Sequence, residues 1–239
     1  GDGPIALMVV ECTSDFEVRA TASLREGLTI PEQPTLQNLL NTYDNGKFMV
    51  VLEPKAGTDL KPYQGIVPLQ GQNLAEVLEN YMKHSEQLDT KIFLAADGEK
   101  AKGLLLQRLP GTGGTIEGTE APDEPSWDRA KQLAETVKAE ELLHLETAEL
   151  IHRLFWQEDL LQLEPTAVRW HCPCTRERVA DMLRMLGRAE IESILSEREI
   201  VEVACNFCGK PYQFDAVDSA QLFIAKTDQP EPDSKNTLH

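Results

Sequence analysis

HCPCTRERVADMLRMLGRAEIESILSEREIVEVACNFCGK occupies residues 171–210 and holds four of the chain's five cysteines: Cys172, Cys174, Cys205 and Cys208. They form two tight pairs that bracket a unit readable as helix, helix and strand. Thr175 is a good N-cap, and Val179, Met182, Leu183 and Leu186 recur at helical spacing before Gly187 stops the helix. Ile191, Ile194 and Leu195 suggest a second short helix, and 200–204 a strand. Cys205-Asn206-Phe207-Cys208-Gly209 then has the composition of a metal knuckle, two thiolates on a tight turn followed by a glycine suited to left-handed backbone. Tyr212 and Phe214 suggest a second strand, and Asp215 caps a final helix through Val217, Leu222 and Phe223.

A module of about sixty residues with few large apolar groups is marginal without a staple. Four thiolates around one zinc ion would supply it, with apparent binding free energies of about 10–16 kcal/mol in small zinc peptides. The alternatives are ordinary buried cysteines or two disulfides, neither of which usually arrives as two tight pairs around a folded unit. His171 is a further candidate ligand, but four sulfurs already complete a tetrahedron, which leaves it a neighbouring or surface role. Cys172-Pro173-Cys174 has one residue where zinc knuckles commonly have two. Both pairs are close enough in sequence to close as Cys172–Cys174 and Cys205–Cys208 disulfides, which would remove all four ligands at once. A metal-bound thiolate is already deprotonated and stays open to an oxidant. Cys12, at or just after a strand, reads as an inert buried thiol.

Upstream, the chain reads as mixed strands and helices. Strands are expected at 5–10, 16–22, 48–52 and 66–69, the last interrupted by Pro68 and so placed at an edge. Thr35 caps a short helix through Leu36, Leu39 and Leu40, and Leu74, Val77, Leu78, Tyr81 and Met82 mark another. A hairpin follows, 91–96 and 103–109 around Asp97-Gly98. Residues 110–126 are rich in glycine, proline, threonine and acid, the composition of a linker or exposed loop. Two amphipathic helices come next. Ser126 caps the first (Trp127, Ala130, Leu133, Ala134, Val137) and Thr147 the second (Leu150, Ile151, Leu154, Phe155).

The formal net charge of -17 argues against nucleic acid, which needs a basic footprint. Acids outnumber bases about three to one in 119–167, the most acidic stretch per residue. No apolar run is long enough to span a bilayer and no export signal is visible, so clustered cysteines point to a reducing cytoplasm. The expected class is α+β: a mixed sheet-and-helix core domain at 1–118, a helical linker at 119–167, a small four-cysteine zinc-binding domain at 168–225 and a disordered tail at 226–239. No nucleophile–base pair, phosphate loop or paired carboxylates suggests an enzyme.

HCPCTRERV…ACNFCGKPYQFDAVDSAQL, with Arg176-Glu177-Arg178 after the first pair, resembles the zinc module of the heat shock protein 33 family, the redox-regulated chaperones. PYQGIVPLQGQNLAEVLENYMKHSEQLDTKIFLA (62–95), with Glu86, Gln87 and Leu88, and GLLLQRLP (103–110) resemble its core. Members normally extend further N-terminally than GDGP, so the chain is expected to be truncated. The resemblance implies a holdase that is zinc-bound and inactive when reduced. Oxidation of the four cysteines to two disulfides releases zinc, unfolds a switch region and lets unfolded proteins bind under oxidative stress. It carries over Cys172, Cys174, Cys205 and Cys208 as ligands of one Zn2+ and as redox sensors, and makes roughly 120–165 the responsive linker. Trp127, Leu150, Ile151, Leu154, Phe155, Trp156 and Leu160 are the candidate client surface, with plain helical packing as the bland alternative. Unfolded client proteins and an oxidised homodimer are the implied partners, with neither nucleic acid nor membrane. A zinc-ribbon-like protein-interaction module and a thiol–disulfide oxidoreductase are the competing classes. The second lacks a cysteine pair at the start of a clear βαβ helix.

Overall fold

The structure, a computed structural model, describes residues 1–55, 57–109 and 124–223. The loop expected at 110–126 and the tail expected at 226–239 fall outside it, apart from 124–126, which open a helix. The chain divides into two compact units: Gly1–Met8 with Ala22–Pro165, and Val9–Thr21 with Thr166–His239. The mixture of helices with several small sheets is α+β, as the sequence implies.

The second unit includes the tip of a hairpin, β1 (Ile5–Cys12) and β2 (Glu17–Leu24), described with that unit below. The rest of the first unit is built from further hairpins and helices. β3 (Lys47–Leu52) and β4 (Tyr63–Pro68) pair antiparallel, Met49 facing Ile66. Pro68 lies opposite Lys47 at the end of the ladder, where its missing N–H costs little. α1 (Leu36–Leu40) starts at Thr35, whose hydroxyl accepts from the Asn38 N–H while the Asn38 side chain accepts from the Thr35 N–H. α2 (Leu74–Tyr81) is capped by Asn73 and runs on into a π-helical turn, Met82–Glu86. Leu36, Leu40, Leu69 and Val77 make a small core there.

β5 (Thr90–Ala96) and β6 (Ala101–Gln107) form the next hairpin. The Asp97 carboxylate accepts from the N–H groups of Glu99 and Lys100, both at 2.7 Å, and closes its turn. One face of this hairpin presents Phe93, Ala95, Leu104 and Leu106. Against it pack α3 (Glu124–Ala134), α4 (Ala139–His144) and α5 (Thr147–Phe155) through Ala134, Leu142, Leu150, Leu154 and Phe155. Leu94 and Leu105 point the other way and are exposed, as strand alternation requires.

Two caps differ from expectation. α3 begins before Ser126, because Pro125 suits the first turn of a helix and lets it start earlier. α5 takes Glu146 as its N-cap, so Thr147 is its first helical residue. α4 is additional to the two helices expected, since six residues are too few to display a helical period; Glu141 reaching back to the Lys138 N–H, at 3.2 Å, is its start signal.

In the second unit, the tip of the β1–β2 hairpin carries a third, parallel strand, β7 (Arg169–Trp170). α6 (Arg176–Leu186) is capped by Thr175, and Gly187, at φ 92°, separates it from α7 (Arg188–Glu197). β8 (Val201–Ala204) pairs antiparallel with β9 (Pro211–Phe214), and α8 (Ala216–Leu222) is capped by Asp215. The core is Ala180, Leu183, Ile191, Val201, Tyr212, Phe214 and Leu222. Met182 and Leu186, expected to face inward, are exposed. The buried stripe of α6 runs instead through Ala180 and Leu183, three residues apart on one face with Val179 packed beside them, which leaves Met182 on its flank.

Candidate metal centre

Cys172 and Cys174 follow directly on β7, and Cys205 and Cys208 sit on the turn between β8 and β9. Two backbone bonds shape that turn, Cys205 N–H to Lys210 O at 3.0 Å and Gly209 N–H to Cys205 O at 2.8 Å. Gly209 adopts φ 71°, the left-handed backbone expected of a glycine there. The four Sγ atoms all lie within 4.8 Å of one another, and none is in a disulfide. Cys172 Sγ is 3.6 Å from Cys205 Sγ, and Cys174 Sγ 3.4 Å from Cys208 Sγ. A disulfide would close these gaps to about 2.0 Å. A tetrahedral ion bound through sulfur at about 2.3 Å would space its donors by roughly 3.8 Å. The observed spacing lets the four sulfurs hold a metal ion.

The thiols titrate against one another. The Tyr212 hydroxyl, which donates to the Cys174 carbonyl at 2.9 Å, holds the Cys174 thiol below its usual range, with help from Cys208. Burial pushes the Cys205 thiol up, but the N–H groups of Cys208 and Phe207 outweigh it and bring it down to about 6. At Cys208 the Lys210 N–H pulls down, while the facing Cys174 sulfur and burial push harder and raise the thiol to about 12. Sulfurs this close ionise at each other's expense, and a cation among them removes the conflict. The donor set therefore fits a soft, thiolate-binding metal ion.

His171 stays outside the cluster: its ring is 3.9 Å from Glu17, and Glu17 binds Arg169 at 2.6 Å. Cys12 is exposed rather than buried, because it ends β1 at the hairpin tip. Of the candidate client residues, Trp127, Leu150, Leu154 and Phe155 are buried and Ile151 is packed beside them. Trp156 caps the end of α5 and Leu160 lies beyond it, both exposed and neither on a helical stripe. Sequence reasoning missed Arg19, whose guanidinium lies 3.9 Å from Cys172 Sγ and 3.9 Å from the centre of the Phe207 ring. No local pattern could have found it, since Arg19 and Cys172 are 153 residues apart.

The sequence profile of the Hsp33 protein family matches residues 1–215. The chain belongs to the Hsp33 family. Among Hsp33 relatives, the 33 kDa chaperonin of Methylobacillus flagellatus is 41% identical over 239 residues, covering 99% of this chain and 76% of its own. That of Chromobacterium violaceum is 44% identical over 223 residues, covering 93% and 71%. The crystal structure of the Hsp33 homologue of Thermotoga maritima superposes with a TM-score of 0.71 at 23% identity, over 93% of this chain and 74% of that one. This last likeness concerns the Hsp33 fold. Among the described residues, no helix is long and apolar enough to cross a membrane.

Proposed function

We propose that the protein is a redox-regulated holdase chaperone whose sensor is a Cys172, Cys174, Cys205 and Cys208 zinc site. The observation that carries this reading is a set of four free thiols, caged at metal-binding distances, in a chain of a chaperone family. When bound, zinc supplies a positive centre that keeps four thiolates together and ties Cys172 and Cys174 to the turn between β8 and β9. Oxidation of each cysteine pair to a disulfide delivers two electrons to a peroxide-class oxidant, which is reduced to water. Two such steps remove every ligand and free the ion. All four sulfurs are within reach of one another; the sequence-local pairs Cys172–Cys174 and Cys205–Cys208 need the least chain movement and are the proposed products.

The proposed division of labour is a core domain at 1–118, a responsive linker at 119–167 and the sensor at 168–225. The linker's acidity opposes its own compaction, and burial of each large apolar side chain there returns about 1.5–3 kcal/mol, so its order depends on keeping its packing partners. Once loosened, Trp127, Leu150, Ile151, Leu154 and Phe155 join the already exposed Trp156 and Leu160 as a surface for unfolded chains. The reading includes an oxidised homodimer and a cytoplasmic setting. It includes no nucleic-acid or membrane partner, in keeping with the net charge of -17. The family's members are chaperones rather than enzymes, which disfavours an oxidoreductase.

The test measures zinc content, free thiols and suppression of client aggregation on one sample, before and after peroxide with mild heating. The expected result is one zinc per chain lost together with four thiols, and aggregation suppressed only afterwards. Metal retained after thiol loss, or metal lost with no gain in holding, overturns the proposal.

A further inference from the structure

The second unit brings a distant arginine against the thiol cluster. Arg19 lies on β2, and β7 pairs alongside: the Phe16 carbonyl accepts from the Arg169 N–H at 3.0 Å and the Val18 carbonyl from the His171 N–H at 3.1 Å. This ladder delivers the chain to Cys172, the next residue. Across the strand, the Thr21 hydroxyl donates to the Asn206 carbonyl at 2.5 Å, inside the other knuckle. The hairpin tip thus touches both halves of the cage. Between them stands Arg19, with 20% of its side chain exposed. Its Nη2 is 2.6 Å from a Glu11 oxygen, its guanidinium is over Phe207, and its Nη1 faces Cys172 Sγ at 3.9 Å.

The stacking fixes the plane of the group, and Glu11 fixes its direction, so the cation is pre-aimed at sulfur. Four thiolates around a divalent ion carry a net charge of about -2. A half-buried guanidinium beside that charge stabilises it far more than it stabilises neutral thiols or disulfides.

We propose that Arg19 is a positioning residue of the metal centre, one that offsets the thiolate charge and locks the hairpin tip onto the cage only while the thiolates persist. The inference rests on the zinc reading above. It makes the hairpin a reader of the cluster's charge: once the sulfurs are oxidised and neutral, Arg19 loses its anion and the tip loosens.

The experiment uses the full reduced chain with Arg19→Met, which retains an apolar stem against Phe207 without charge, and Arg19→Lys, which retains the charge. Zinc affinity is read by competition with a chromophoric chelator at low and high salt, and hydrogen exchange is followed over 9–21. Arg19→Met is expected to lose about ten- to a hundredfold in zinc affinity, the range seen when partners of ligands are removed. Its affinity should respond less to salt than that of the wild type, and 9–21 should exchange faster. Arg19→Lys is expected to fall between the two. Equal affinity in wild type and Arg19→Met overturns the inference, as do equal losses in both variants, which would mark a structural role. A wild-type chain that takes up no zinc sinks the parent reading and this one with it, an outcome distinct from either of those.

Discussion

Cys205 shows how one side chain is set by what surrounds it. Burial opposes ionisation of its sulfur, yet the N–H groups of Cys208 and Phe207 point at that sulfur and prevail, because Gly209 completes a turn that other residues enter with strain. Its folded thiol titrates at about 6, below the ordinary 9.0. The sign follows: below about 6 it is protonated in both folded and unfolded chains and contributes nothing. As pH rises from there the contribution grows, and it is complete above the unfolded value. A metal ion must instead displace the proton still held by Cys208, whose thiol is raised to about 12. The reduced protein's hold on metal is expected to weaken as pH falls from 8 toward 6, which equilibrium dialysis against zinc at several pH values would check. Removing one donor is harsher. Cys174→Ser should abolish tight zinc binding and leave the region around α6 to α8 open to protease, because metal binding of about 10–16 kcal/mol far exceeds what so small a core supplies. Full metal content in that variant, by atomic absorption, would contradict the four-sulfur cage.

At the scale of elements, α3 to α5 matter most, since their stripe is buried on the β5–β6 hairpin rather than displayed. Leu154→Ser and Phe155→Ser should each cost about 2–5 kcal/mol in the first unit, by loss of transfer energy and by the cavity left behind. Zinc content should not change, because neither residue belongs to the core that supports the cysteines. Chemical denaturation of the reduced protein measures the first expectation and metal analysis the second. The stretch beyond α5 behaves differently. Leu160, Leu161 and Leu163 are 54%, 72% and 76% exposed, so serine in their place should leave stability nearly untouched. If these leucines hold clients along with the proposed surface, the triple variant will suppress aggregation less after oxidation. Undiminished suppression removes them from the client surface.

At the scale of the whole molecule, the two units have separate cores that share no residue: one around Ile191 and Phe214 in the second unit, the others around Val77 and Leu150 in the first. The reduced protein with zinc is expected to unfold in more than one calorimetric transition, since separate cores need not melt together. A chelator under reducing conditions should abolish the transition of the second unit and leave that of the first, and protease should then spare a fragment ending near Pro165. A single transition that shifts as a whole on chelation would mean that the metal stabilises both units as one.

What the sequence determined by itself is what short-range physics controls. The two cysteine pairs, the Thr35, Thr175 and Asp215 caps, the Gly187 and Gly209 breaks and the hairpin turn at Asp97-Gly98 depend on residues within a few positions of each other. Each is legible because the chain's own geometry brings those residues together in any fold. Tertiary structure alone decided that the sulfurs face one another as Cys172 with Cys205 and Cys174 with Cys208, and that α6 turns Ala180 rather than Met182 inward. It alone placed Arg19 against Cys172. Those contacts join segments tens to more than a hundred residues apart, where packing selects the partner and no local spacing records the choice.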